Sequence, residues 1–232
     1  MSKSKQIRNK LEEAGIRYWA GDNISEVLQN GDKAELIDEA ALAFETVLDT
    51  LVIDRKTDPN SMDTARRLAK MYYNELMVGR YEAPPPATAF PNEPDNVTNE
   101  KYDGMLVVRS ELKSVCSHHH QPVTGVAYIG IIAADTLIGL SKYTRIAQWC
   151  ARRGTLQEEL AMDISREIMK VTKSDDVGVY IQATHGCCEN RGIMATSSLT
   201  QTTVLKGAFK NDPATKEEFM DNIKLQSDFA AK

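Results

Sequence analysis

The sequence predicts an α+β protein, with a helical N-terminal region followed by strands and helices that do not alternate. Three observations predict it. Helical periodicity runs from Asp32 to about residue 80, and five of the eight prolines then fall between Glu82 and Glu100. Beyond them, runs of β-branched residues come in pairs, on either side of two long amphipathic segments.

Residues 1–31 are polar and carry Gly15, Gly21 and Gly31 as turn signals. They are expected to form a flexible, loosely packed extension. From Asp32, Leu36, Ala40, Phe44, Val47, Leu48 and Leu51 recur at three- and four-residue spacing, which predicts a helix. A second helix starts near Asp63-Thr64, with Leu68, Met71, Tyr72 and Leu76 on one face and Gly79 as its stop signal. Proline lacks the backbone donor and disfavours helix, so residues 82–100 are expected to be a linker or an extended loop. The domains expected are thus the extension at 1–31, a helical domain with its linker at 32–98, and a second domain at 99–232. In the last, Met105–Val115 and Val123–Ala133 read as strands, Ser141–Arg153 and Leu156–Val171 as helices, and Val177–Thr184 and Thr202–Phe209 as strands. Pro213–Leu225 reads as a terminal helix, with proline in its first turn. No βαβ alternation, GxGxxG or Walker pattern occurs, which argues against a Rossmann domain and a P-loop.

Composition excludes several classes. A chain of 232 residues can bury a real core, and 42% hydrophobic residues with a net charge of −5 do not describe a disordered chain. The mild acidity argues against sequence-independent nucleic-acid binding. No apolar run approaches the ~20 residues needed to span a bilayer, and the start, MSKSKQIRNKLEEAG, has no apolar core for a secretion signal. A cytoplasmic protein with no nucleic-acid or membrane partner is expected.

The histidines carry the first functional signal. All four lie in two short segments, Cys116-Ser117-His118-His119-His120 and His185-Gly186-Cys187-Cys188, together with three of the four cysteines. Thiolate and imidazole suit Zn²⁺, and Cys116-x-x-His119 is a plausible half-site. If the strand at 177–184 continues, His185 and Cys187 share one face and Cys188 points away. Cys116, His119 and Cys187 would then leave one tetrahedral position open, as in a catalytic zinc site. His118 and His185 would remain as imidazoles for acid–base work near neutral pH. A structural Cys₂His₂ site using one more histidine is the alternative.

A second constellation is basic. Between Thr136 and Gln157 there is no Asp or Glu, yet Lys142, Arg145, Arg152 and Arg153 are present. Lys142 and Arg145 sit three apart after Gly139-Leu140-Ser141, at an expected helix start, where free N–H groups favour an anion. This reads either as a phosphate clamp or as a solvated charged helix face. Arg191 and the group Arg66, Arg67 and Lys70 would add to a polyphosphate site. Gln157-Glu158 places an amide beside a carboxylate, a pair able to read the edge of a guanine, or simply an ordinary first helical turn.

With these motifs in order, the chain resembles the GTP cyclohydrolase I family. That family is marked by Cys-Glu-His-His, by Gly-Leu-Ser-Lys-x-x-Arg, by Gln-Glu-Arg-Leu and by His-x-Cys followed by Arg-Gly. Here the counterparts are Cys116-Ser117-His118-His119, Gly139-Leu140-Ser141-Lys142-Tyr143-Thr144-Arg145, Gln157-Glu158-Glu159-Leu160 and His185-Gly186-Cys187 with Arg191-Gly192. Ser117 stands where the family has Glu, and His120 where it has an apolar residue. The resemblance covers residues 34 to 224. It implies a T-fold (tunnelling fold) domain, an antiparallel sheet with two helices packed on one side, after an N-terminal helical domain. It also implies a homodecamer of two pentamers, with sites at subunit interfaces.

The implied reaction converts GTP and water to 7,8-dihydroneopterin triphosphate and formate, for folate, pterin or deazaguanine synthesis. Cys116, His119 and Cys187 would hold Zn²⁺. His118, His185 and Ser141 would be catalytic, with His185 protonating the purine N7, His118 moving protons as the ribose opens and Ser141 lying near the ribose. Lys70, Lys142, Arg145 and Arg191 would hold triphosphate and ribose, and Gln157 and Glu158 the guanine. A non-catalytic relative that binds GTP or a pterin is one rival, and another T-fold enzyme is a second.

Overall fold

Lys3–Glu13 forms the first helix (α1), although this stretch carries few apolar residues. A computed structural model describes residues 1–230. Residues 231 and 232, the end of the predicted second domain, lie outside the described residues. The chain divides into two units, Met1–Ala83 with Arg152–Gly154, and Pro84–Ala151 with the residues from Thr155 onward.

In the first unit, α1 is followed by Asp32–Thr50 (α2), Thr64–Met71 (α3) and Val78–Tyr81 (α4). The expectation of a loosely packed extension fails here. Ile7 and Leu11, one helical turn apart, are buried against Ile24 and Leu36. Lys3 Nζ lies 2.8 Å from Asp32 Oδ1, and the Ser4 N–H and hydroxyl donate to Glu39 at 2.9 and 2.5 Å. Two apolar side chains at the right spacing suffice to dock a short helix, and a polar average hides them. Gly79 does not stop the second predicted helix either. A wide π-type turn at Tyr72–Leu76 leads into α4, which contains Gly79.

The second unit opens with Ala89–Pro91 (β1), inside the proline-rich segment. Met105–Val115 (β2), Pro122–Ile132 (β3) and Thr136–Ile138 (β4) follow. Then come Leu140–Ala151 (α5), Gln157–Thr172 (α6), Val177–His185 (β5), Gly186–Glu189 (α7), Thr200–Leu205 (β6), Ala208–Asn211 (α8) and Pro213–Ala230 (α9). The segment read as a strand over 202–209 divides, because Gly207 (φ +55°) turns the chain and Asp176 Oδ1 accepts from the Ala208 N–H at the start of α8. β1 pairs antiparallel with β4, and the main sheet has the order β2-β3-β5-β6, antiparallel throughout.

Alternation sorts the sheet into two faces. Ala127, Ile129 and Ile131 of β3 and Val177, Val179, Ile181 and Ala183 of β5 face α5 and α6, where Ile146, Cys150, Leu160, Ile164 and Ile168 close the core. Each fully buried aliphatic side chain contributes roughly 1.5–3 kcal/mol. On the opposite face Tyr128 and Tyr180 meet Phe209, Phe219 and Ile223. Gly130 and Gly178 are register partners beneath that aromatic pair. A Cβ at Gly130 would lie 2.7 Å from a Phe219 ring carbon and 2.8 Å from one of Phe209, so glycine here makes room for the rings. This α+β arrangement, two helices on one side of an antiparallel sheet, is that of a T-fold domain. Among the described residues, no helix is long and apolar enough to cross a membrane.

Candidate active site

Sheet register brings the two histidine segments together. Val115 pairs with Pro122, so Cys116 to Gln121 form the β2–β3 turn, closed by Cys116 N–H to Gln121 O and His120 N–H to Cys116 O. Val123, at the start of β3, pairs with His185, at the end of β5. Gly186 permits the close approach, since a Cβ there would lie 3.1 Å from the Pro122 carbonyl oxygen. The strand stops at His185, and Cys187 sits in the one-turn helix α7. Strand parity is therefore not what brings Cys187 to His185; a turn does so. Cys188 lies beside it, with the two sulfurs 4.0 Å apart.

Cys116 Sγ, Cys187 Sγ and an imidazole nitrogen of His185 all lie within 4.8 Å of one another. Cys116 is buried and the other two are half-buried. Burial, and then the neighbouring Cys116 and Cys188, push the Cys187 thiol up to about 11. Such a cluster is poorly suited to hold two thiolates alone and well suited to a divalent cation that neutralises them. Two thiols and an imidazole are zinc donors, so the residues present fit Zn²⁺.

The other histidines lie outside this triad. His118, His119 and His120 are all exposed. His118 Nδ1 is 3.9 Å from Cys116 Sγ. Arg191 Nη1 donates to His119 Nε2 at 3.0 Å, so that nitrogen carries a lone pair, the form a metal requires. Arg191, expected at phosphate, thus meets an expected zinc ligand.

His185 is differently held. Burial lowers its pKa, against the pull of the Glu158 and Glu189 carboxylates, so the ring is neutral near pH 7. Its Nε2 lies 2.7 Å from Gln157 Oε1. Gln157, in the first turn of α6, is 4% exposed, and its Nε2 reaches Thr202 Oγ1 (3.0 Å), Thr200 O (3.2 Å) and Ile181 O (3.4 Å). Its amide is spent inside the protein rather than offered to a ligand. Glu158, next along, is exposed. No sequence signal marked Gln157 as a partner of His185, because the contact depends on how α6 lies across β5 and β6.

The basic constellation sits at the start of α5. Ser141 and Arg145 are exposed and Lys142 is half-buried. The turn begins with the Lys142 N–H donating to Gly139 O at 2.8 Å. Lys70, Arg66 and Arg67 belong to the first unit. Lys70 is exposed on α3, Arg66 pairs with Asp38, and Arg67 lies 3.5 Å from Asp63.

Comparison with known proteins adds an independent line. The profile of the family described as GTP cyclohydrolase I matches residues 40–224. GTP cyclohydrolase 1 of Flavobacterium johnsoniae is 39% identical over 197 residues, covering 84% of this chain and 85% of that protein. GTP cyclohydrolase 1 of Aeromonas salmonicida is 36% identical over 220 residues, 94% of this chain and 95% of that one. GTP cyclohydrolase 1 of Vibrio cholerae is 33% identical over 223 residues, 95% and 97% respectively.

Proposed function

From a chain that belongs to the GTP cyclohydrolase I family, and so converts GTP and water to 7,8-dihydroneopterin triphosphate and formate in folate and pterin synthesis, we propose the following division of labour. The observation that carries it is the convergence of Cys116, Cys187 and His185 at the joined ends of β3 and β5.

Zn²⁺ is the cofactor, and we assign it to Cys116, Cys187 and His119. The lone pair on His119 Nε2 supports this set. The proximity of His185 to both sulfurs favours a second set, with His185 as third ligand. When bound, the metal supplies Lewis acidity that makes hydroxide available near neutral pH.

The protein's own groups do the rest. A neutral His185 takes up a proton and delivers it to purine N7, which draws electrons from C8 and readies that carbon for hydration and loss as formate. His118, exposed beside Cys116, exchanges protons as the ribose opens and rearranges, with Ser141 near the sugar. Lys142 and Arg145 hold the triphosphate at the start of α5, where helix N–H groups add to their charge, and Arg191 assists. The triphosphate loses no bond, so this clamp serves binding and positioning. Glu158 is left to read the guanine edge.

A helical domain ahead of a catalytic domain, with the boundary expected at 98/99 and without a flexible extension at 1–31, is part of this reading. The protein acts as a cytoplasmic homo-oligomer, a decamer of two pentamers. Strands β2 and β6, each paired on one side only among the described residues, offer the edges for assembly. The test is metal content and product analysis of His119→Ala, His185→Ala and His118→Ala. His119→Ala should lose zinc. His185→Ala should keep zinc and leave the purine closed, and His118→Ala should keep zinc and accumulate a formamide intermediate. Zinc lost from His185→Ala and kept in His119→Ala would establish the second ligand set.

A further inference from the structure

We infer that Gln157 is a positioning residue that fixes the tautomer of His185, leaving Nδ1 as the nitrogen through which that imidazole does its chemistry. The inference follows from what each atom can do. The carbonyl oxygens of Ile181 and Thr200 can only accept hydrogen bonds, and both lie against the same end of the Gln157 amide, at 3.4 and 3.2 Å. That end must therefore be the NH₂. The other end must be the oxygen, which can only accept. It lies 2.7 Å from His185 Nε2, so His185 Nε2 must be the donor. A neutral imidazole has one N–H, so Nδ1 carries the lone pair. Two backbone carbonyls of the sheet thus dictate the protonation pattern of a side chain at the end of β5.

The same bonds hold the ring in place. Gln157 joins the first turn of α6 to β5 through Ile181 and to β6 through Thr200 and Thr202. The acceptor for His185 is therefore referenced to three elements of the core. A half-turn of the imidazole would put a carbon against Gln157 Oε1 and leave a buried acceptor unpaired, which costs about 1–3 kcal/mol. Both amide hydrogens are engaged at 4% exposure, so this side chain does not read the guanine while it holds His185. Recognition of the base then passes to the exposed Glu158. The tautomer assignment stands on the hydrogen bonds alone. Its consequence for rate rests on the acid–base role proposed above for His185.

The test uses the zinc-loaded, full-length protein labelled with ¹⁵N-histidine. With four histidines in the chain, magic-angle-spinning spectra can be read directly, and the His185 signals are those missing from His185→Ala. The expected wild-type pattern is a protonated Nε2 with a lone-pair-bearing Nδ1; a protonated Nδ1 in the neutral ring would overturn the inference. Gln157→Leu should show mixed tautomers and a kcat lower by about 100-fold, at the low end of the cost of losing an acid–base group outright. Its dissociation constant for GTP should stay within about twofold, since no contact to the base is lost. If Gln157→Leu does not fold, the wild-type spectrum decides the tautomer on its own. GTP affinity lost in Gln157→Leu with kcat retained at saturation would place Gln157 on the guanine instead. An intact tautomer shift with unchanged kcat would keep the positioning and remove the acid–base role of His185, so the two failures are distinguishable.

Discussion

Zn²⁺ binding to the metal-free protein should expel the Cys187 proton, so its apparent affinity should climb with pH. Burial and the neighbouring sulfurs raise this thiol from an ordinary 9.0 to about 11. The thiolate is therefore harder to form here than in water. Zinc takes cysteine as thiolate, so binding carries the deprotonation with it. Below pH about 11 the free thiol holds a proton that the bound form lacks. Each unit fall in pH therefore costs about tenfold in affinity through Cys187 alone, or about 100-fold from pH 8 to pH 6. Competition with a chromophoric chelator across that range measures the slope. Calorimetry in two buffers of different ionisation enthalpy counts the protons. Cys187→Ala should release one proton fewer and flatten the slope by one unit. Retained zinc with an unchanged proton count in that variant would refute the reasoning.

Three further outcomes follow from particular contacts. Lys142→Ala and Arg145→Ala should each weaken GTP binding by about 10- to 100-fold, the worth of a charge-assisted contact, and guanosine binding far less; equal losses by calorimetry would remove them from the phosphate. Gly130→Ala sets a methyl 2.7 Å from the Phe219 ring, so urea unfolding should show about 1–3 kcal/mol less stability, and an unchanged midpoint would contradict the packing. The Lys3 ammonium and the Gln29 N–H hold the Asp32 carboxyl below the usual range, so its contribution is present above the unfolded value of about 4 and lost as pH falls through the lower folded value. Hydrogen exchange should show α1 loosened in acid, and already at pH 7 in Asp32→Asn; an α1 equally protected in both would speak against the docking.

Local patterns carried much of the architecture. Met105–Val115 was legible to the residue, because β-branched alternation reports a strand with one face on a core. The helices α5 and α6 followed from apolar spacing in the same way. What stayed hidden depended on distant partners. Ala89–Pro91 is a strand only because Thr136–Ile138 lies alongside it, and nothing in a run of prolines announces that. The docking of α1 rests on Ile7 and Leu11, too few to lift a polar average. At the site, the clustering of cysteine and histidine was plain, since those residue types are scarce elsewhere in the chain. The reason for placing Cys187 was wrong in detail, as a one-turn helix and not a strand carries it. The burial of Gln157 was out of reach altogether. A glutamine in the first turn of a helix looks alike whether it faces solvent or, as here, three acceptors and an imidazole.

The central claim is that Cys116, Cys187 and their neighbouring histidines hold a zinc that this chain uses to open the guanine of GTP. The most direct measurement incubates the purified protein with GTP, before and after chelation and again after zinc is restored, and follows formate and the dihydropterin absorbance together. The account predicts equal amounts of formate and 7,8-dihydroneopterin triphosphate, both abolished by the chelator and both restored by Zn²⁺. Zinc-loaded protein that binds GTP and returns it unchanged would contradict it.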